Sequence, residues 1–275
     1  MMRPATLLLA AFVMTSAGCA APAVTVRAQA LVRQHREADA VALLRARLHA
    51  APDDLAARRL LVRVLAFAGD VAGARAEVAE LFARMPDGSP TPYLELGHAL
   101  ELAHRYDEAL DAYDAAAAAA PASPDGPREG GMRCAHWGEA EAARDRLEEA
   151  VRRGSRDAET WHTLGLVRLK LGDFDGAAGA YREGAAADPA RADCWLGLAT
   201  VAVARGDAQG ALDAYDRLLA RRPKFAPAEL GRAWALAKLG RTDEARSAID
   251  HAEELGAPEA NVARQRRALA SGGPE

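Results

Sequence analysis

The sequence predicts an all-α fold, an α-solenoid of about seven antiparallel helix pairs closed by a C-terminal capping helix. Three observations predict it. First, a phrase recurs at a fixed interval: LKLGDFDGAAGAY (169–181) returns 34 residues later as VARGDAQGALDAY (203–215). Second, the aligned windows hold alanine at Ala40, Ala74, Ala109, Ala143, Ala177, Ala211 and Ala245, and four places later a large apolar residue: Leu44, Val78, Tyr113, Leu147, Tyr181, Tyr215 and Ile249. Third, proline follows the alanine by twelve residues at Pro52, Pro86, Pro121, Pro189 and Pro223. The step is 34 residues throughout, except for one of 35 between Ala74 and Ala109. Such a period marks a stacked array whose units bury their apolar faces only against neighbours.

Residues 158–189 show how one unit folds. Trp161, Leu164, Leu166, Leu169 and Leu171 suit a first helix, which Gly172-Asp173 breaks. A second helix starts near Phe174, turns Ala177, Ala178 and Tyr181 inward, and stops at Asp188-Pro189. The constant alanine fits a close helix crossing, and the large residue one turn on fills the gap to the neighbour.

These residues resemble a known family. Trp161, Leu164-Gly165, Ala177, Tyr181 and Pro189 match the tetratricopeptide repeat pattern of Trp, Leu-Gly, Ala, Phe and Pro. So do Trp195, Leu198, Ala211, Tyr215 and Pro223, and again Tyr93, Leu96-Gly97, Ala109, Tyr113 and Pro121. The resemblance implies a superhelix whose successive first helices line a concave, partner-binding surface.

From the N-terminus, residues 1–18 have the layout of a signal peptide: Arg3, an apolar run from Ala5 to about Ala17, then small residues. The run is shorter than the roughly 20 residues that span a bilayer. Ser16-Ala17-Gly18-Cys19 resembles a bacterial lipobox, with Ser16 where leucine is usual. The resemblance implies a lipid on Cys19 and a tether through residues 19–25. Ala20, where aspartate would signal inner-membrane retention, implies an outer-membrane lipoprotein facing the periplasm. Cleavage at Ala21 or Ala23 instead would leave a soluble periplasmic or secreted chain.

Seven units then fill 26–259, in register as 21–54, 55–88, 90–123, 124–157, 158–191, 192–225 and 226–259. The fourth departs from its siblings. Pro127 stands where they have Tyr93, Trp161 and Trp195, and Gly130-Gly131 fills the Leu-Gly slot, which predicts a weak first helix and a candidate hinge. Residues 260–275 hold the capping helix and tail, with Val262, Ala263, Arg266 and Leu269 facing the seventh unit.

Composition narrows function. The chain of 275 residues is 50% hydrophobic but 5% aromatic, which suits close-packed helices. A net charge of −4 gives nucleic-acid binding no support. No catalytic residue, metal site or cofactor is expected: the chain has no phosphate loop, no CxxC and no HExxH, and no two histidines stand at i, i+4. Cys134 and Cys194 sit a whole unit apart, beyond disulfide reach, and read as buried hydrophobes.

The expectation is a non-catalytic protein-interaction scaffold anchored in the bacterial envelope. Its partner is a protein or peptide segment of an envelope complex under assembly. The alternative is a cell-wall glycan or small-molecule receptor, or an adaptor for cell-wall hydrolases. By the resemblance, the concave groove holds Arg59, Arg63 and Phe67, then His98, Arg128, His136, His162 and Lys170, then Leu196, Thr200, Val203, Leu230 and Trp234. Such a groove starts basic and ends apolar. Trp234 also suits an ordinary inter-helix core position.

Overall fold

The computed structural model describes residues 23–85 and 88–271. Among them are fifteen α-helices and no strand. The pairs are α1 (Val24–Arg33) with α2 (Glu37–Ala50), α3 (Leu55–Phe67) with α4 (Val71–Ala83), α5 (Thr91–Leu102) with α6 (Tyr106–Ala119), and α7 (Asp125–Trp137) with α8 (Ala140–Arg152). Then come α9 (Ala158–Lys170) with α10 (Phe174–Ala187), α11 (Ala192–Ala204) with α12 (Ala208–Leu219), and α13 (Ala226–Lys238) with α14 (Thr242–Glu254). The single helix α15 (Glu259–Ala270) closes the stack. Residues 1–18 and Cys19 lie outside the described residues. Val24 and Thr25, expected in the tether, form the first turn of α1 instead, because Val24 packs against the core of the first units.

Local chemistry sets the helix ends. Asp54, Asp70, Asp157, Asp173 and Asp207 each accept a hydrogen bond from the amide three residues on, capping α3, α4, α9, α10 and α12. Between the helices of a pair the chain turns through the left-handed region. Gly69, Gly138, Gly172, Gly206 and Gly240 supply it in five units, and His35 and His104 take the same conformation in two others.

The repeated alanines are all fully buried, and so are Leu44, Tyr113, Leu147 and Tyr181 one turn on. The Leu-Gly slot has a steric reason. A Cβ at Gly97 would stand 2.4 Å from the Tyr113 ring, at Gly165 2.7 Å from Tyr181, and at Gly231 2.2 Å from Tyr215. Gly197 meets Tyr181 from the next unit at 2.4 Å. Glycine thus leaves room for the tyrosine that joins the two helices and the neighbouring unit.

Several successive first helices pack on one another, namely α1 on α3, α3 on α5, α7 on α9 and α9 on α11, whereas no pair of successive second helices makes a comparable contact among the described residues. The first helices therefore line the inside of the curve. Buried apolar residues fall into successive groups. One runs from Ala28 to Tyr113 through the first three units, the next from Cys134 to Ala180, and the last from Ala192 to Val262 under α15. Val262 is buried, Leu269 packs beside it, and Arg266 pairs with Asp250 and Glu253 of α14 at 2.6 and 2.8 Å.

The fourth unit keeps the helix pair of its siblings. Its first helix is unbroken over Asp125–Trp137. A Cβ at Gly126 would lie 2.4 Å from the Ala117 backbone nitrogen, and one at Gly131 would lie 2.7 Å from Leu147 Cγ. These glycines let α7 approach α6 and α8 closely.

Candidate functional site

On the inner face, three residues per first helix recur one turn apart. In chain order the sets are Arg59, Arg63, Phe67 on α3; Leu94, His98, Leu102 on α5; Arg128, Met132, His136 on α7; and His162, Leu166, Lys170 on α9. The stripe ends with Leu196 and Thr200 on α11 and Leu230 and Trp234 on α13.

The structure brings Arg59, Arg63, Phe67 and His98 together around one depression of about 420 Å³, which Glu95 and Leu102 complete. A second depression of about 300 Å³ adjoins it and shares Arg63, Phe67 and Leu102, reaching Val32 and Arg33 of α1. Phe67 is 46% exposed and Leu102 70% exposed, large apolar side chains left to water. Leu166, at 47%, is a further exposed apolar residue of the stripe.

Charge along the stripe is partly neutralised. Arg59 lies 3.7 Å from Glu95. His98 Nε2 stands 3.4 Å from Glu129, whose other oxygen accepts from Arg128 at 2.6 Å. The hydrogen bond from His98 and the charge of Arg128 hold the Glu129 carboxyl below its usual range, against the opposing effect of burial. Arg33 and Arg63 have no acidic partner within ion-pair distance among the described residues. His162 is half-buried against the Tyr181 ring, at 5.9 Å between centroids, and burial lowers its pKa, with Arg191 adding to the effect. His136 is exposed on the last turn of α7. Lys170 donates to the Gly138 carbonyl at 2.9 Å and so ties α9 to the end of α7.

The C-terminal part of the expected groove is different. Leu230 is 9% exposed and belongs to the core, because α13 packs it into the last apolar group. Leu196, Val203 and Trp234 are half-buried on the same core, and the Thr200 hydroxyl is spent on the Leu196 carbonyl. The open apolar surface thus lies at Phe67 and Leu102, beside the arginines. Leu102 was legible in the sequence, since it falls in the column of Phe67 once the 35-residue step is applied. Glu95 and Glu129 carried no such signal, being off the stripe by one place.

Cys134 and Cys194 are buried free thiols. Burial pushes the Cys134 thiol up to about 11 and also raises that of Cys194, so both stay protonated. Among the described residues no three His, Cys, Asp or Glu gather in a metal-binding group, and no helix is long and apolar enough to cross a membrane.

A tetratricopeptide repeat family model matches residues 25–90, 138–192 and 162–224, and a second matches 202–269. The chain belongs to the tetratricopeptide repeat family. Repeats of this family make protein-interaction scaffolds and are generally non-catalytic. The matches leave 91–137, the stretch where Pro127, Gly130 and Gly131 depart from the pattern, and there this repeat protein keeps the helix pair by packing. No curated protein matches it. Solved structures show the same fold. MamA is 23% identical, covers 62% of this chain and 92% of its own, and has a TM-score of 0.57. YrrB, described as a TPR protein with an unusual peptide-binding site, is 17% identical over 66% of this chain and 94% of its own, with a TM-score of 0.60. The C-terminal part of a repeat protein from Cytophaga hutchinsonii is 14% identical over 88% and 98%, at 0.61.

Proposed function

We propose that this repeat protein is a non-catalytic scaffold of the bacterial envelope that holds a segment of a partner protein on the concave face of its first three units. The observation that carries this reading is the exposure of Phe67 and Leu102 side by side, with Arg63 lacking an acidic partner. Isolated surface leucines are ordinary, but two large apolar side chains lining adjoining depressions form a contiguous patch. The segment that fits carries aliphatic or aromatic anchors next to acidic residues. Anchors of this kind dominate binding energy, and rim charges steer encounter. YrrB lends the reading support, since it is described as having a peptide-binding site on the same fold.

A photo-crosslinking amino acid at Phe67 or Leu102, in cells, is expected to trap one defined partner. The same group at Glu80, on the second helix α4, is expected not to trap it. With the partner in hand, Leu102→Ala should weaken binding about tenfold or more, as a buried anchor contributes about 1.5–3 kcal/mol. Arg63→Glu should slow association. Equal trapping at Glu80 and Leu102 would refute the concave site.

The envelope part of the proposal rests on the apolar leader and on Ser16-Ala17-Gly18-Cys19. We infer from them a lipid-anchored protein at the periplasmic side of the outer membrane, acting in assembly of an envelope complex. Fatty-acid labelling should mark the parent and not Cys19→Ser, which should instead appear as a soluble or unprocessed form. An unlabelled parent overturns the anchor.

A further inference from the structure

A trough of about 450 Å³ lies away from the concave stripe, between the second helices α10 and α12 with α11 as its floor. Its origin shows in the repeat register. Between α4 and α6, Arg75 and Asp111 form an ion pair at 2.8 Å that spans the corresponding trough. Between α6 and α8, Asp114 and Arg146 do the same at 2.8 Å. Two repeats beyond the α6–α8 junction, the α10–α12 junction keeps one half of each pair. Asp213 stands at the Asp111 position, and Ala178 has replaced its arginine. Arg182 stands at the Asp114 position, and Ala214 faces it in place of Arg146.

Among the charged residues that line the trough, Arg205 pairs with Asp175 and Asp207 caps α12, whereas Arg182 and Asp213 have no ion-pair partner among the described residues. Among the described residues, Asp213 accepts a side-chain hydrogen bond from the neutral Gln209 amide alone, at 2.8 Å. Arg217 also lines the trough, and its guanidinium and that of Arg221 each lie 5.1 Å from the centre of the Trp195 ring. The indole nitrogen of Trp195 is buried with no acceptor. Alanine on both walls leaves the bottom open to close approach by a backbone.

From this pattern we propose that the α10–α12 trough is a second docking site, independent of the concave one. Its occupant is a helical segment of another protein that restores the missing halves, with an acidic side chain on Arg182 and a basic one on Asp213. By the register of the Arg75–Asp111 pair, Asp213 stands opposite Ala178, which is one turn, about 6 Å along α10, from Arg182. A helix carrying Glu and Lys at i and i+4 spaces its charges by a similar distance.

The test uses the full chain and an alanine-rich helical peptide, acetylated and amidated, with one Glu and one Lys four residues apart. The Trp195 side-chain NMR signal, assigned by its loss in Trp195→Phe, should shift saturably as peptide is added. Arg182→Gln and Asp213→Asn replace exposed residues and should each weaken binding tenfold or more. A peptide with Gln in both charged places should bind correspondingly weakly. Arg182→Glu should lose the parent peptide and regain binding to one whose Glu is replaced by Lys. An unmoved Trp195 signal, equal binding of the Gln peptide, or variants that respond like the parent would each overturn the proposal. So would a response abolished by Leu102→Ala but not by Arg182→Gln, since the peptide would then sit on the concave face.

Discussion

Gly130 and Gly131 are neighbours on α7, yet alanine at the two positions should act with opposite sign. Either substitution raises intrinsic helix stability by about 1 kcal/mol, because glycine loses more backbone freedom on folding. What differs is the surroundings. A Cβ at Gly130 lies 3.1 Å from Arg146 Cδ, part of a flexible side chain that can swing aside. A Cβ at Gly131 lies 2.7 Å from Leu147 Cγ and 3.0 Å from the Leu147 amide nitrogen, and Leu147 is fully buried. Relieving that overlap requires α7 and α8 to separate, and overpacking of this kind costs about 1–3 kcal/mol. Gly130→Ala should therefore lie between neutral and about 1 kcal/mol more stable. Gly131→Ala should be about 1 kcal/mol less stable, a drop of about 2–4 °C in melting temperature for a chain of this size. Thermal and urea unfolding followed by circular dichroism at 222 nm measures both. If both alanines stabilise the protein equally, the glycines are ordinary weak points in a helix and the packing account of the fourth unit is wrong.

Other consequences are as direct. Hydrogen exchange across 125–134 should be as slow as in the first helices α5 and α9, and faster exchange there would reinstate a local weakness in α7. Removing 259–275 strips Val262 from the last apolar group, so solubility and melting temperature should both fall; a truncated chain that melts like the parent would show that α15 is no cap. His162 titrates below its ordinary value of 6.5 in the folded protein, so the unfolded chain binds its proton first. The stability tied to this group is present above pH 6.5 and lost as pH falls below it. His162→Gln should accordingly narrow the stability difference between pH 7.5 and pH 5.5, and an unchanged difference would remove the burial argument.

Most of the architecture was legible because a repeat is a redundant signal. A constant alanine and a large residue one turn later fix the crossing of each pair seven times over, and errors in one unit are corrected by the others. The site was less legible. The register placed Arg63, Phe67 and His98 on one face, but it cannot report how far a helix has rotated. Leu230 occupies the same column as Arg59, yet it is buried and Arg59 is half-exposed. Charge balance was hidden as well, since Glu95 and Glu129 lie one place outside the stripe and reach back to it through side-chain length.

Between the third and fourth units the array changes the kind of force that holds it. The apolar group of the first three units stops at Tyr113 and the next begins at Cys134, with half-buried Leu110 touching both. Across that seam run Arg146 to Asp114, Arg133 to Glu101, His98 to Glu129, and Arg153 to the Ala117 carbonyl. Charges at partly exposed positions weaken with ionic strength, whereas buried apolar area does not. Salt is thus a dial on how far the two blocks unfold as one. At low ionic strength the stack should melt in a single cooperative step, and in concentrated sodium chloride the first three units, which share one apolar group, should melt apart from the units that follow.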